Sequence, residues 1–373
     1  MHLASLAPLL TSDGPWATVY ADAPRVSESA DHEQRLAARA AGDELVRQGA
    51  DAATAEAVAG HLDSLSPGQH PRGCAVFAAG GDVVLDVPLT EPPEQTVVAW
   101  AGLPHLAPLP RLTREDPLCL TVRADRTGAD FELRDAQGTR DAGQVEGDDW
   151  PTHRTSTADP SERHFQQRVE NTWEGNAATI AEATVERFRD AGADVVVVCG
   201  DVRERRAVHE RLPHDVAAVT VETAHGGRAA GAETELLDRE TARVRAEHAE
   251  RRTAETLDAF RSGRVPGGNG HAAVEGVPPL VEAAREHRVG TLLLGPEGPD
   301  AHREVWVGDA PDQIAVRRSE LASLGAREPF PARADDALLR CAAATGATVL
   351  ATGPGEDLPV GGLGALLRWT HES

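Results

Sequence analysis

The chain has 373 residues, 40% hydrophobic and 26% charged, a globular composition that predicts two or three domains at roughly 100 to 200 residues each. Aromatics are only 3%, so the cores must rest on Val, Leu, Ala and Ile; 37 basic against 60 acidic residues give a net charge of -23, and every fixed cation is an Arg because the chain has no Lys. That balance excludes a general nucleic-acid coat, which needs a broad basic face against phosphates, and leaves only local Arg clusters to consider.

Trp16 to Tyr20 reads as a strand, Ser27 to Gln48 as a helix with Leu36, Ala40 and Val46 at helical spacing, and Ala52 to Leu65 as a second helix. Cys74 to Ala79 and Val83 to Val87 predict a hairpin turned by Gly80-Gly81-Asp82. Thr96 to Trp100 adds a strand before the Pro-rich Leu103 to Pro110, where a first α/β unit ends. A second unit opens with the strands Leu118 to Val122 and Asp130 to Arg134 around the polar turn Asp125-Arg126-Thr127-Gly128. After a polar loop, Glu146 to Pro160, the segment Ser161 to Ala191 is helical, with Phe165, Val169, Trp173, Ile180, Val185 and Phe188 as its apolar stripe and Gly192 as its stop. Val195 to Val198 suits a strand buried on both faces. A helix (Arg203 to Leu212), a strand (Val216 to Val221) and a charged helix (Glu233 to Arg261) complete this unit, and Gly263 to Gly270 reads as a linker. The third unit repeats the alternation: helix Val274 to His287, strand Thr291 to Leu294, helix Asp335 to Thr345, strand Thr348 to Ala351, and Ala365 to Trp369 near the end.

Residues 1–10 lack a basic region ahead of Leu9-Leu10, so no signal peptide is expected, and no stretch approaches the roughly 18 apolar residues of a membrane span. Cys74, Cys119, Cys199 and Cys341 lie far apart without zinc or redox spacing and read as buried, reduced thiols of a cytoplasmic protein. Metal binding is not expected: His209 and His214 are five apart with Pro213 between them and cannot share a helical face with Glu210. No cofactor is expected either, since Gly295-Pro296-Glu297-Gly298 and Gly353-Pro354-Gly355 follow strands but Pro removes the amide donor a phosphate cradle needs. No Gly-x-Ser-x-Gly nucleophile elbow occurs.

One stretch invites a functional reading. His153, Arg154, Thr155 and Ser156 on the polar loop, with Arg163, His164 and Arg168 in the first turns of the following helix, gather cations beside Phe165 and Trp173, a set suited to gripping phosphates and stacking on bases. The plainer reading is an exposed loop in which Asp159 caps a helix that starts at Pro160. Arg203, Arg205, Arg206 and Arg211 form a second cluster, interleaved with Asp201, Glu204 and Glu210 as ordinary surface charges.

The order of these units, with Pro117 to Arg134 leading into Arg168-Val169-Glu170-Asn171-Thr172-Trp173-Glu174-Gly175-Asn176, the joint at Ala273 to Gly276 with Gly290 to Leu294, and Ala337 to Cys341 through Gly361 to Leu367, resembles the archaeo-eukaryotic release factor and Pelota superfamily. It is most similar to the bacterial branch that includes Balon-like ribosome hibernation factors. The resemblance spans nearly the whole chain and implies an α/β fold of three domains: an N-terminal α/β decoding-site domain (1–114), a central RNase H-like domain (115–262) with the polar loop 148–161, and, after a linker (263–273), a C-terminal L7Ae-like three-layer domain (274–373). It implies a monomer without membrane or DNA contacts, whose partners are the ribosomal A site and its rRNA, touched through His153, Arg154, Thr155, Ser156, Arg163, His164 and Arg168. Elongation factor Tu is the implied partner of the C-terminal domain.

Two departures from the family pattern decide the expected chemistry. Release factors carry Gly-Gly-Gln at the tip of the central loop, whereas residues 157–161 read Thr-Ala-Asp-Pro-Ser, and Gln166 and Gln167 lie further into the helix. The stop-codon-reading Asn-Ile-Lys-Ser motif is absent near Gly49 to Thr54, and a chain without Lys cannot supply it. The expectation is therefore a ribosome-binding factor that occupies the A site without catalysis, in hibernation or stress. The alternative is a peptidyl-tRNA hydrolase using a divergent loop in which His153, His164 or Gln166 orients water; a third reading is a scaffold with no ribosome contact.

Overall fold

A computed structural model of the chain describes residues 3–12, 14–22, 30–66, 72–113, 117–135, 138–147, 162–228, 234–264, 272–296, 298–353 and 359–369, with side chains described from Glu174 onward in the helix that starts at Glu162. The chain divides into two compact units, Met1–Glu115 with Thr253–Ser373, and Asp116–Arg252.

The N-terminal segment of the first unit runs α1 (Ala7–Thr11), β1 (Trp16–Asp22), α2 (Ala30–Arg47), α3 (Ala52–Ser64), β2 (Gly73–Ala79), β3 (Asp82–Pro88), β4 (Val97–Ala101) and α4 (Leu109–Leu112). Its strands form one antiparallel sheet in the order β3-β2-β1-β4, with the predicted hairpin at Gly80-Gly81. Successive side chains of a strand face opposite ways, and both faces of β1 and β2 are covered. Ala17, Val19, Val76 and Ala78 pack on Ala41 and Leu45 of α2 and Val58 of α3, while Trp16, Tyr20 and Phe77 enter a second core on the other side. Asp51 starts α3 by accepting hydrogen bonds from the Thr54 amide (2.9 Å) and hydroxyl (2.7 Å).

The central unit contains β5 (Cys119–Ala124), β6 (Gly128–Asp135), β7 (Gly138–Glu146), α5 (Glu162–Ala191), β8 (Val195–Cys199), α6 (Val202–His209), α7 (His214–Ala217), β9 (Thr220–Thr223) and the start of α8 (Thr234–Gly263). The sheet order is β7-β6-β5-β8-β9, antiparallel through β5, β6 and β7 and parallel through β5, β8 and β9. The Val195 to Val198 run sits between two parallel neighbours, which explains why it carries no alternation: Val196 and Val198 meet Ile180 and Ala181 of α5, and Val195 and Val197 meet Leu237 and Val244 of α8. Gly192 stops α5 as predicted, at φ +62°, with its amide donating to Arg189 O and the Ala193 amide to Phe188 O.

Two elements of this unit differ from the sequence reading. Val216 and Ala217 close the helical turn α7, whose Ala217 amide donates to Pro213 O, so the strand is shifted to Thr220–Thr223. β7 was not anticipated, because an edge strand exposed along most of its length carries polar residues on both faces and shows no alternation.

The C-terminal segment adds β10 (Ala273–Glu275), α9 (Val277–Arg285), β11 (Val289–Leu294), β12 (Glu304–Val307), β13 (Ile314–Ala315), α10 (Arg318–Ser323), β14 (Phe330–Arg333), α11 (Ala334–Thr345), β15 (Thr348–Ala351) and β16 (Leu363–Leu367). Its main sheet runs β10-β16-β11-β15, with β11 and β15 parallel, and a small antiparallel sheet runs β13-β12-β14. The helix expected over Val274 to His287 is split: Gly276 sits at φ +80°, so residues 273–275 pair with β16 and the helix begins at Val277. Leu280, Leu292 and Leu339 of this segment share one core with Tyr20, Phe77 and Leu109.

A buried polar hub fastens the two segments of this unit. Asp336, in the first turn of α11, accepts from the Leu106 amide (2.7 Å) and the Ala107 amide (2.9 Å) through Oδ1, and its Oδ2 lies 2.9 Å from His105 Nδ1. The His105 carbonyl in turn accepts from the Tyr20 hydroxyl at 2.7 Å, and burial, aided by the charges of Asp336 and Asp335, holds that phenol well above its usual range.

Asp336→Ala strands two amide donors in the interior, so it is expected to lower the stability of the chain by about 3 kcal/mol in urea unfolding; a loss below about 1 kcal/mol would count against the hub. Burial pushes the thiols of Cys74, Cys119 and Cys341 up to about 12 and that of Cys199 to about 11. All four should resist a disulfide-exchange reagent at pH 8 in the folded protein and react after denaturation. Because the folded state keeps these protons longer than the unfolded chain, stability is full below about pH 8.5 and falls as pH rises toward 11 and 12.

Candidate functional site

Outside the carboxyl ends of parallel strands, an open α/β sheet leaves a crevice in which ligands commonly bind. In the central unit that edge collects the ends of β5, β8 and β9, the start of β6 and the end of β7, as the pairings Ala124 with Ala129, Gly128 with Glu146 and Cys199 with Thr223 require. The polar loop begins where β7 ends, so its base lies on this edge.

The turn Asp125 to Gly128 organises the base. One oxygen, Asp125 Oδ1, accepts from the Thr127 amide (2.7 Å), the Thr127 hydroxyl (2.7 Å) and the Gly128 amide (3.0 Å), which is how a short carboxylate side chain closes a tight turn. Arg228 reaches the same oxygen (3.1 Å) and also Asp130 Oδ1 (3.0 Å), joining the turn to the strand beside it. Burial alone would raise the Asp125 carboxyl, but the hydrogen bonds from Thr127 and Arg228 outweigh it and hold the group below the usual carboxylate range.

The chain entering the loop is clamped to this turn. The Gly147 amide donates to Thr127 O (2.7 Å), and Asn176 of α5, buried at 3% exposure, donates through Nδ2 to Arg126 O (2.8 Å). No side chain fits at position 147, since a Cβ there would stand 2.2 Å from Asn176 Oδ1. Arg126 donates to Glu204 of α6 at 3.0 Å. The clamp thus fixes the entry of the loop and a residue of α5, the helix that follows it.

The second Arg cluster is spent within the unit. Arg205 donates to Glu222 Oε2 (3.3 Å) and Gly200 O (3.2 Å), Arg206 to Glu210 (3.2 Å), and Arg211 to Ala207 O (2.9 Å), while Asp201 caps α6 at the Arg203 amide. His209 Nδ1 lies 2.8 Å from Glu222 Oε1. Among the described residues no group of three or more His, Cys, Asp or Glu is arranged to hold a metal ion, and no helix is long and apolar enough to cross a membrane.

Of the residues singled out from the sequence, His153, Arg154, Thr155 and Ser156 lie outside the described residues. Arg163, His164 and Arg168 lie in the first turns of α5, with side chains outside the description. Asn176, Gly147 and Arg228 were not assigned a role. An Asn within a helix and a Gly at the loop entry are weak signals, and nothing local marks Arg228, which stands 98 positions from Asp130.

Residues 118–265 match the model of bacterial archaeo-eukaryotic release factor family 2. Over its length the chain is similar to the uncharacterized protein Rv2629 of Mycobacterium tuberculosis (strain ATCC 25618 / H37Rv), at 29% identity over 365 residues, 97% of this chain and 95% of that protein. Among solved structures it aligns with Archaeoglobus fulgidus Pelota (13% identity, 100% and 93% of the two chains, TM-score 0.33). It also aligns with the model of ribosome-bound archaeal Pelota and ABCE1 (13% identity, 98% and 93%, TM-score 0.41).

Arg228→Met keeps the aliphatic stem and removes the cation shared by Asp125 and Asp130. The pair is partly exposed, so the expected cost is about 1 kcal/mol in denaturant unfolding at pH 7. A carboxyl held below its usual range contributes stability above about pH 4 and loses it as pH falls, so the difference between wild type and variant should shrink on acidification. A difference that grows toward pH 3 would contradict the assignment.

Proposed function

We propose that this chain is a release-factor-like translation factor that occupies the ribosomal A site without hydrolysing peptidyl-tRNA, in hibernation or stress. The observation that carries the reading is a pairing of likeness and loss: residues 118–265 match a release-factor family model, while residues 157–161 within the loop read Thr-Ala-Asp-Pro-Ser. Hydrolysis in release factors depends on Gly-Gly-Gln at that place, where flexible backbone and a glutamine side chain orient water against the ester. Neither is supplied here.

What the chain keeps is the support of the loop. The bonds from Gly147 to Thr127 and from Asn176 to Arg126 tie the loop entry and the following helix to the sheet. In this reading Arg154, Arg163 and Arg168 contact rRNA phosphates and bases, and His153, Thr155, Ser156 and His164 add hydrogen bonds to the sugar-phosphate backbone. The net charge of -23 repels RNA elsewhere on the surface, so binding is confined to the few places where arginines are presented. The C-terminal domain meets a translational GTPase, elongation factor Tu, and the factor works in the cytoplasm as a monomer.

Cosedimentation with vacant bacterial ribosomes at two salt concentrations tests this. Binding should weaken with salt, with a slope of about 0.7 to 0.9 per phosphate contact on logarithmic axes, and the triple variant Arg154→Met, Arg163→Met, Arg168→Met should lower both affinity and slope. Absence of binding at every salt concentration overturns the proposal. In a peptidyl-tRNA release assay the wild-type chain is expected to give only background; release that disappears in His153→Ala or His164→Ala while binding persists would replace the A-site blocker with a hydrolase.

A further inference from the structure

The first unit contains a cavity of about 310 Å³ that the translation-factor reading does not use. It lies at the carboxyl end of β11, a central strand of its sheet, next to the parallel strand β15, and its size falls within the range of small-molecule pockets, about 300 to 1,000 Å³. We propose that this cavity binds a free α-amino acid with an apolar side chain.

The lining separates into an apolar part, a satisfied polar part and two unspent charges. Val97, Ala107, Leu294 and Leu363 supply apolar wall. The Asp335 carboxylate, whose side chain is 3% exposed, is already answered by Arg333 (Nε to Oδ1 3.1 Å, a second nitrogen to Oδ2 2.5 Å) and by the Asp336 amide at 2.8 Å. The His105 ring is held by Asp336. These buried groups ask nothing of a ligand.

Arg111 and Glu94 differ. Both line the cavity, both are exposed, and neither charged group has an ion pair or hydrogen bond among the described residues, with each other included. A lone carboxylate would answer Arg111 and leave Glu94 unmatched; a lone amine would do the reverse. A molecule with a carboxylate and an ammonium at one end and an apolar body at the other matches both charges and fills the apolar wall. Gln95 and His302, which also line the space, add hydrogen-bonding capacity without a fixed charge.

The test is calorimetric titration of the full chain with three probes of one shape: L-phenylalanine, 3-phenylpropionate, which lacks the ammonium, and 2-phenylethylamine, which lacks the carboxylate. Phenylalanine should bind at least fivefold more tightly than either analogue. Arg111→Met should weaken phenylalanine and 3-phenylpropionate at least fivefold and leave 2-phenylethylamine unchanged; Glu94→Gln should weaken phenylalanine and 2-phenylethylamine and leave 3-phenylpropionate unchanged. Both positions are exposed, so circular dichroism should be that of the wild type. No binding of any probe at millimolar concentration, or variants that both leave phenylalanine affinity within twofold, would overturn the site. No ribosome enters this experiment, so its failure is separate from failure of the A-site reading.

Discussion

Every sheet in this protein with two apolar faces has to have both of them covered, and most of the architecture is the way that requirement is met. With aromatics at 3%, large side chains are few, so most coverage comes from whole elements laid against one another. The central sheet is sandwiched by α5 on one face and by Leu237 and Val244 of α8 on the other. The N-terminal sheet has α2 and α3 on one face, and its Trp16, Tyr20 and Phe77 side is covered by Leu9 of α1, Leu109 of α4 and residues from the far end of the chain. Asp336 adds direction to that apolar contact, because its hydrogen bonds to Leu106 and Ala107 are satisfied in only one register.

Electrostatics is organised around the same scarcity of means. All fixed cations are guanidiniums, and many of them are consumed at home: Arg228 on Asp125 and Asp130, Arg205 on Glu222, Arg333 on Asp335. A planar fork with several donors suits this, since one side chain can answer two acceptors, as Arg228 does. An acidic protein that spends its cations internally retains few to offer a polyanion. Any contact with RNA then depends on where the remaining arginines are presented, and loop anchorage matters more than total charge.

Much of the fold was legible because it rests on local signals. The hairpin at Gly80-Gly81, the stop at Gly192, the doubly buried Val195 to Val198 and the polar turn Asp125 to Gly128 each follow from a periodicity or a backbone conformation that the residues announce. The misplaced elements are those decided by context. β7 is a strand because β6 offers it a partner, residues 273–275 pair with β16 before a helix can include them, and the short strands β12 to β14 are too brief to register a pattern. The site divides the same way: the turn at Asp125 was visible, whereas the convergence of Asn176, Gly147 and Arg228 on it is a product of tertiary structure, with separations of 50 residues and more for the two side chains.

The hub at Asp336 joins positions 230 apart in the chain. During synthesis this fixes a timetable: the Trp16, Tyr20 and Phe77 face of the N-terminal sheet stays only partly covered while the central unit, which ends at Arg252 within α8, is made and closes on itself. Only when the last third has emerged can Leu280, Leu292 and Leu339 meet Tyr20 and Phe77. A chain that stops early therefore presents an unfinished apolar surface for chaperones and proteases to recognise, and the integrity of its C-terminus serves as the checkpoint for its N-terminus.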